Sequence, residues 1–160
     1  MPIFTLVHVV ISVAGIASGL VVAGGLLTAK RLDGWTACFL ATTVPTSVTG
    51  FGFPFEHLLP SHIVGIISLV VLAAAIYARY AAHLACGWRA IYVITAMTAL
   101  YLNVFVLVVQ LFRRVPELEA LAPTQSEPPF AVAQLAVLAL FVVLTIAAVK
   151  RFRTGPVRVA

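Results

Sequence analysis

Four histidines, His8, His57, His62 and His83, are the side chains of this chain best suited to hold a metal ion or a porphyrin iron, because a neutral imidazole offers one lone pair and one donor. His8, His57 and His62 fall near the same end of long apolar runs, and Glu56, Gln110 and Gln134 lie at a similar depth. A b-type haem needs two imidazoles from different helices at one level, with apolar walls around the ring, and His8 with His62 meets that pattern. Gln134, Gln110 and Glu56 would then orient the imidazoles by hydrogen bonding. A second ligand set at the same end is His8, Glu56, His57 and His62, whose imidazoles and carboxylate suit zinc or iron. His57 and His62 are five residues apart with Pro60 between them, so they cannot form the one-turn pair of helical zinc sites. Met1 and Met97 are the only methionines, which disfavours copper. Ser61 beside His62 carries no triad pattern, and no phosphate-cradling glycine loop or dinucleotide fingerprint occurs, so no catalytic residue is assigned.

The elements that must position these residues are long and apolar. Five runs, Ile3 to Ala29, Trp35 to Phe53, Ser61 to Tyr80, Trp88 to Phe112 and Phe130 to Val149, are each about long enough to cross a hydrocarbon core of ~30 Å at ~1.5 Å per helical residue. The expected fold is all-α: one domain over residues 1–160, a polytopic bundle of five transmembrane helices spanning 3–29, 35–53, 61–80, 88–112 and 130–149. With the runs laid antiparallel, eight of the ten Lys and Arg residues fall on one side: Lys30, Arg31, Arg79, Arg89, Lys150, Arg151, Arg153 and Arg158. Arg113 and Arg114 fall on the other, with Glu56, Glu117, Glu119 and Glu127. The positive-inside rule makes the first side cytoplasmic, with the N-terminus outside and the C-terminus inside.

Composition agrees. The chain is 62% hydrophobic and 9% charged, with a mean hydropathy of +1.13, which leaves no room for a soluble domain. The net charge of +5 is scattered over helix ends and a short tail, which marks topology and contact with anionic lipid rather than nucleic acid. The first run has no basic residues before it and exceeds a signal peptide's apolar core, so it is expected to remain as a helix. Cys38 and Cys86 have neither a disulfide nor a zinc spacing.

Within the runs, spacing suggests faces. His8 heads a stripe of small residues, Ser12, Gly15, Gly19 and Ala23, which lets a neighbouring backbone approach and turns His8 into the bundle. The second run is the least apolar, with Thr42, Thr46 and Thr49 sharing one face around Pro45. In the third, Gly65, Leu69, Ala73 and Ile76 continue the face that His62 begins; in the fourth, Tyr92, Ala96, Ala99, Asn103 and Gln110 align; in the fifth, Gln134, Leu138, Phe141 and Thr145. Asn103 lies near mid-membrane, where bonding to a carbonyl or threonine of a neighbouring helix is expected. The proline-rich segment from Arg113 to Pro129 reads as a loop with one short helical turn around Glu117 to Leu121.

Thr49-Gly-Phe-Gly-Phe-Pro-Phe55 before Leu58-Leu-Pro-Ser-His62, and Ala122-Pro-Thr-Gln-Ser-Glu-Pro-Pro129 before the last run, resemble segments of small bacterial polytopic inner-membrane proteins to which no activity is attached. The placement of His8 and His62 also distantly resembles membrane cytochrome b subunits, in which histidines on separate spans hold haem. That resemblance implies at most one bis-histidine haem, since His83 has no histidine partner at its own end. The leading expectation is thus an inner-membrane protein with an outward histidine site, binding haem b and exchanging electrons with quinol or an external partner. The competing expectation is a non-catalytic accessory or assembly subunit of a larger membrane complex, in which the same residues only join helices. A small solute transporter, using Asn103 and the threonines around Pro45, comes third. The small-residue stripes equally suit a homo-oligomer.

Overall fold

The computed structural model describes residues 3–52, 60–154 and 158–159, and these are almost entirely helical. The elements are α1 (Ile3–Leu27), a two-residue strand β1 (Lys30–Arg31), α2 (Asp33–Gly50), α3 (Pro60–Ile76) continued by a π-helical turn (Tyr77–Ala81), α4 (Trp88–Arg114), the short α5 (Pro116–Leu121), α6 (Pro128–Thr154) and a second strand β2 (Arg158–Val159). Four helical stretches are long and apolar enough to cross a membrane: Ile3–Leu27, His62–Ala81, Trp88–Arg114 and Pro128–Phe152. The second run forms a helix of 18 residues, but its threonines, serine and Asp33 leave it outside that group. The short α5 lies where the loop reading put a helical turn.

The long helices run alternately up and down. α2 packs along α1 on one side and α3 on the other, while α4 packs against α3 and α6 and also meets α1. Gly15 and Gly19 are buried in that assembly, and a Cβ at Gly19 would lie 2.6 Å from Leu100 and 2.9 Å from the Phe39 ring. The small-residue stripe of α1 therefore faces its neighbours, as its spacing suggests. Tyr92, Val93, Ala96, Met97, Ala99 and Leu100 make α4 the centre of the core, against Phe39, Leu72, Phe141 and Phe152. Outward faces are apolar too: Val10 and Val13 on α1, Ile66 and Val70 on α3, and Val132, Leu135 and Val143 on α6 are all more than half exposed. Soluble monomers rarely carry an apolar surface this extensive.

The face that His62 begins on α3 is not the buried one, because Ala73 and Ile76 are exposed. Ser68, Leu72, Ala75 and Arg79 are buried instead, at spacings of four, three and four. Beyond His62, Ser68 and Arg79 mark the inward face of a helix whose other positions are mostly apolar.

Candidate functional site

At the end of the bundle formed by the start of α1, the end of α2 and the start of α3, two of the candidate histidines are held by α2. His8 Nδ1 lies 2.8 Å from Thr49 Oγ1. The Thr49 hydroxyl also lies 2.7 Å from Pro45 O, and when it donates there the imidazole is the donor and Nδ1 carries the proton. His62 is buried and lies against the Phe51 ring, with centroids 5.6 Å apart. The same ring fills the space beside Gly65, where a Cβ would meet it at 3.0 Å. Phe4 seals the outer side of this turn, packing over Gly52. His8 and His62 thus contact the end of α2 and the residue that caps it, at Thr49 and Phe51, with α2 between their helices.

The glutamines take other places. Gln134 is half-buried on α6 and donates from Nε2 to Phe105 O of α4 at 3.2 Å, while its Oε1 is buried without a partner among the described residues. Gln110 is exposed. Glu56 and His57 lie outside the described residues, and no group of three or more His, Cys, Asp or Glu side chains comes together among the described ones. Asn103 donates to Thr43 Oγ1 at 3.3 Å, a bond to a neighbouring helix of the kind expected for it.

A second polar centre stands at the opposite end, built on Arg79, which the charge count marks only as one of the basic residues on that side. Arg79 is buried within the π-helical turn and ion-paired with Asp33 in the first turn of α2. Its guanidinium also lies over the rings of Tyr92, at 5.3 Å, and Tyr80, at 5.7 Å. The Tyr92 hydroxyl meets the Thr36 hydroxyl at 3.2 Å, both side chains being fully buried. Arg31 approaches Asp33 at 3.4 Å, and Arg151 donates to Leu27 O at 3.1 Å. β1 and β2 pair in parallel here, Lys30 with Arg158 and Arg31 with Val159.

The connection that follows is conformationally unusual. His83, Leu84 and Cys86 all have left-handed backbone, with φ of 49°, 57° and 47°. Leu84 N donates to Ala78 O at 3.0 Å, six residues back, and Ala82 N to Tyr77 O at 2.9 Å, so wide bonds close the π-helical turn while His83 holds the left-handed backbone usually taken by glycine. Two signals in the sequence pointed to this centre. Arg79 lies inside an apolar run, where a charge needs a partner, and Asp33 is the one acid on the basic side. No family model, curated protein or solved structure matches the chain.

Proposed function

We propose that the chain is a five-span protein of the bacterial inner membrane, N-terminus outside and C-terminus in the cytoplasm, serving as a non-catalytic accessory or assembly subunit of a larger membrane complex. The fifth span is supported by parity. α2 is antiparallel to α1, since Gly15 faces Thr43 and His8 meets Thr49, and antiparallel to α3, since Ser47 meets Ser68 and Asp33 meets Arg79. α1 and α3 therefore point the same way, and if both cross a bilayer the chain between them must cross back. Location in the bacterial inner membrane rests on the resemblance of the two loop segments, and orientation on the positive-inside rule.

The observation that carries the accessory role is that the polar side chains of the described interior are engaged with neighbouring helices: His8 with Thr49, Asn103 with Thr43, Ser47 with Ser68 and Gln134 with Phe105 O. Such bonds join helices, and the space beside His62 and Gly65 is taken by Phe51. One observation favours the haem reading instead. An imidazole whose Nδ1 hydrogen is anchored to an oxygen has the tautomer that iron ligands adopt, with Nε2 turned to the metal. For His8 and His62 to share a porphyrin, Phe51 would have to leave its place.

An oxidised-minus-reduced spectrum of the detergent-purified protein, with a pyridine haemochrome assay on the same sample, separates the two. A colourless protein that co-purifies with partner subunits in fixed ratio is the expected result. A stoichiometric b-haem signal lost in His8→Ala or His62→Ala overturns the accessory role in favour of electron transfer.

A further inference from the structure

Of the two tryptophans and four tyrosines in the chain, Tyr92 is buried and Tyr101 half-buried, while Trp35, Tyr77, Tyr80 and Trp88 all lie at the basic end of the bundle. Contacts set these four at one level. The Asp33–Arg79 bridge joins α2 to the end of α3. Trp35 follows Asp33 by two residues and Tyr77 precedes Arg79 by two, so both stand about 3 Å from the bridge along their helices, on the side of the apolar spans. Trp88 opens α4, and its ring meets Tyr77 with centroids 5.1 Å apart. Trp35, Tyr77 and Tyr80 are each about half exposed, and no indole N–H or phenol O–H of the four has a protein acceptor among the described residues. Hydrocarbon cannot meet such a donor, and water alone leaves the apolar body of the ring uncovered. The surface changes character at this level. Ile67, Val70 and Ile76 are exposed on α3 to one side, and Lys30, Arg31 and Arg89 stand to the other. At the opposite end of the bundle the large aromatic side chains are all phenylalanine, which has no polar tip.

We propose that Trp35, Tyr77, Tyr80 and Trp88 form a belt that docks the bundle on a lipid surface, the glycerol and headgroup layer of the leaflet at its basic end. The indole and phenol tips bond ester and phosphate oxygens there, and the ring bodies cover the first acyl carbons. If the bundle spans a bilayer, as proposed above, the belt fixes where the hydrocarbon stops on that side. The Asp33–Arg79 bridge then lies among headgroups rather than acyl chains, in keeping with an Asp33 that is half exposed beside a buried Arg79. Lys30, Arg31 and Arg89, beyond the belt, meet lipid phosphates of opposite charge. Anchoring by amphipathic rings is thus confined to one end, and the phenylalanine end is free of it.

The test reconstitutes full-length protein in vesicles of phosphatidylcholine brominated near the head, in the middle or near the end of its acyl chains, and reads the loss of tryptophan fluorescence. Trp88→Phe leaves Trp35 as the single reporter, and Trp35→Phe leaves Trp88. Val70→Trp, on a chain carrying both Trp35→Phe and Trp88→Phe, places a reporter about 10 Å deeper along α3 than Tyr77. Trp35 and Trp88 should each lose most fluorescence to bromine near the head and least to bromine near the chain end, and Val70→Trp should show the reverse order. Val70→Trp behaving so while Trp35 or Trp88 responds most to chain-end bromine, or to none, would leave the bundle in the bilayer and overturn the belt. No quenching of any of the three reporters would overturn the spanning reading itself, and the belt with it.

Discussion

Replacing Asp33 by asparagine removes the counter-charge of a guanidinium that is only 3% exposed. Breaking a fully buried ion pair from one side costs about 3–5 kcal/mol, because the remaining charge stays desolvated. Asp33 itself is 49% exposed, so water screens the pair and lowers the cost toward that of a charge-assisted hydrogen bond, about 1.5–3 kcal/mol. Asp33 also lies in the first turn of α2, where a negative charge meets the positive end of the helix dipole and contributes another ~0.3–1 kcal/mol. Asp33→Asn should therefore destabilise the bundle by about 2–4 kcal/mol. Arg79→Met removes the charge that needs compensation and keeps an apolar stem, so it loses chiefly the contacts with the Tyr92 and Tyr80 rings, about 1–2 kcal/mol. In the Arg79→Met background, Asp33→Asn should cost only the dipole contribution. Equilibrium unfolding in mixed micelles with rising SDS, followed by tryptophan fluorescence, gives all four corners of the cycle. The expected coupling is about 1.5–3 kcal/mol; additivity to within ~0.5 kcal/mol would show that Arg79 and Asp33 act independently and refute the buried-pair reasoning.

The same unfolding assay distinguishes two glycines of α1: Gly19→Ala drives a methyl into Leu100 and Phe39 and should cost about 1–3 kcal/mol, whereas Gly24→Ala meets nothing within 4 Å and should be neutral or stabilising by up to ~1 kcal/mol. His83→Gly should stabilise by about 0.5–1 kcal/mol, because His83 is exposed and holds a left-handed backbone that disfavours any Cβ; an unchanged or lower stability would show that its side chain contributes more than the backbone loses. The Glu127 carboxylate accepts hydrogen bonds from Thr124 Oγ1 and from the backbone N–H of Thr124 and Ser126. Desolvation opposes its ionisation, but these bonds outweigh it and hold the carboxyl below its ordinary pKa of 4.5. A lowered folded pKa means that the tie is complete above the unfolded pKa and is lost as pH falls through the folded one. Hydrogen exchange at the Thr124 and Ser126 amides should therefore accelerate relative to the intrinsic rate only below about pH 4.5, and Glu127→Gln should abolish that dependence.

Much of the scaffold was legible in the sequence because helix length and apolar content are local properties. The small stripe of α1 was legible for a related reason: Gly15 and Gly19 stand out among bulky residues, and only a neighbouring helix profits from their lack of side chain. The inward face of α3 was not, since nearly every position is apolar and the usual contrast between core and surface vanishes. Ser68 and Arg79, eleven residues and about three turns apart, were the markers to follow. Arg79 was read as a charge at a helix end, where long basic side chains ordinarily reach outward along their stems. Here it is buried in the π-helical turn that extends α3, paired with Asp33, a partner 46 residues earlier that no helical spacing reveals.

α2 shows why a hydropathy average misjudges a helix of this kind. Averaging treats every side chain as if it faced lipid, and threonine and serine then count against the span. In α2 the hydroxyls of Thr42, Thr46 and Thr49 bond back to the carbonyls of Cys38, Thr42 and Pro45. Thr36, Thr43 and Ser47 bond across to Tyr92, Asn103 and Ser68. Each hydroxyl thus has a protein partner, and the cost that a bare polar group incurs in hydrocarbon is largely cancelled. The three cross-helix bonds are also spaced along α2 by seven and four residues, one stripe at helical period, so the polarity that lowers its average is what fastens α2 to α3 and α4. Such a helix gains little from standing alone in lipid and much from its neighbours. Replacing Thr43 and Ser47 together by Val and Ala should accordingly raise the hydropathy of α2 yet loosen its packing, with Asn103 and Ser68 left unpaired at about 1–3 kcal/mol each. A more stable bundle in that variant would mean that α2 is held by apolar contact alone.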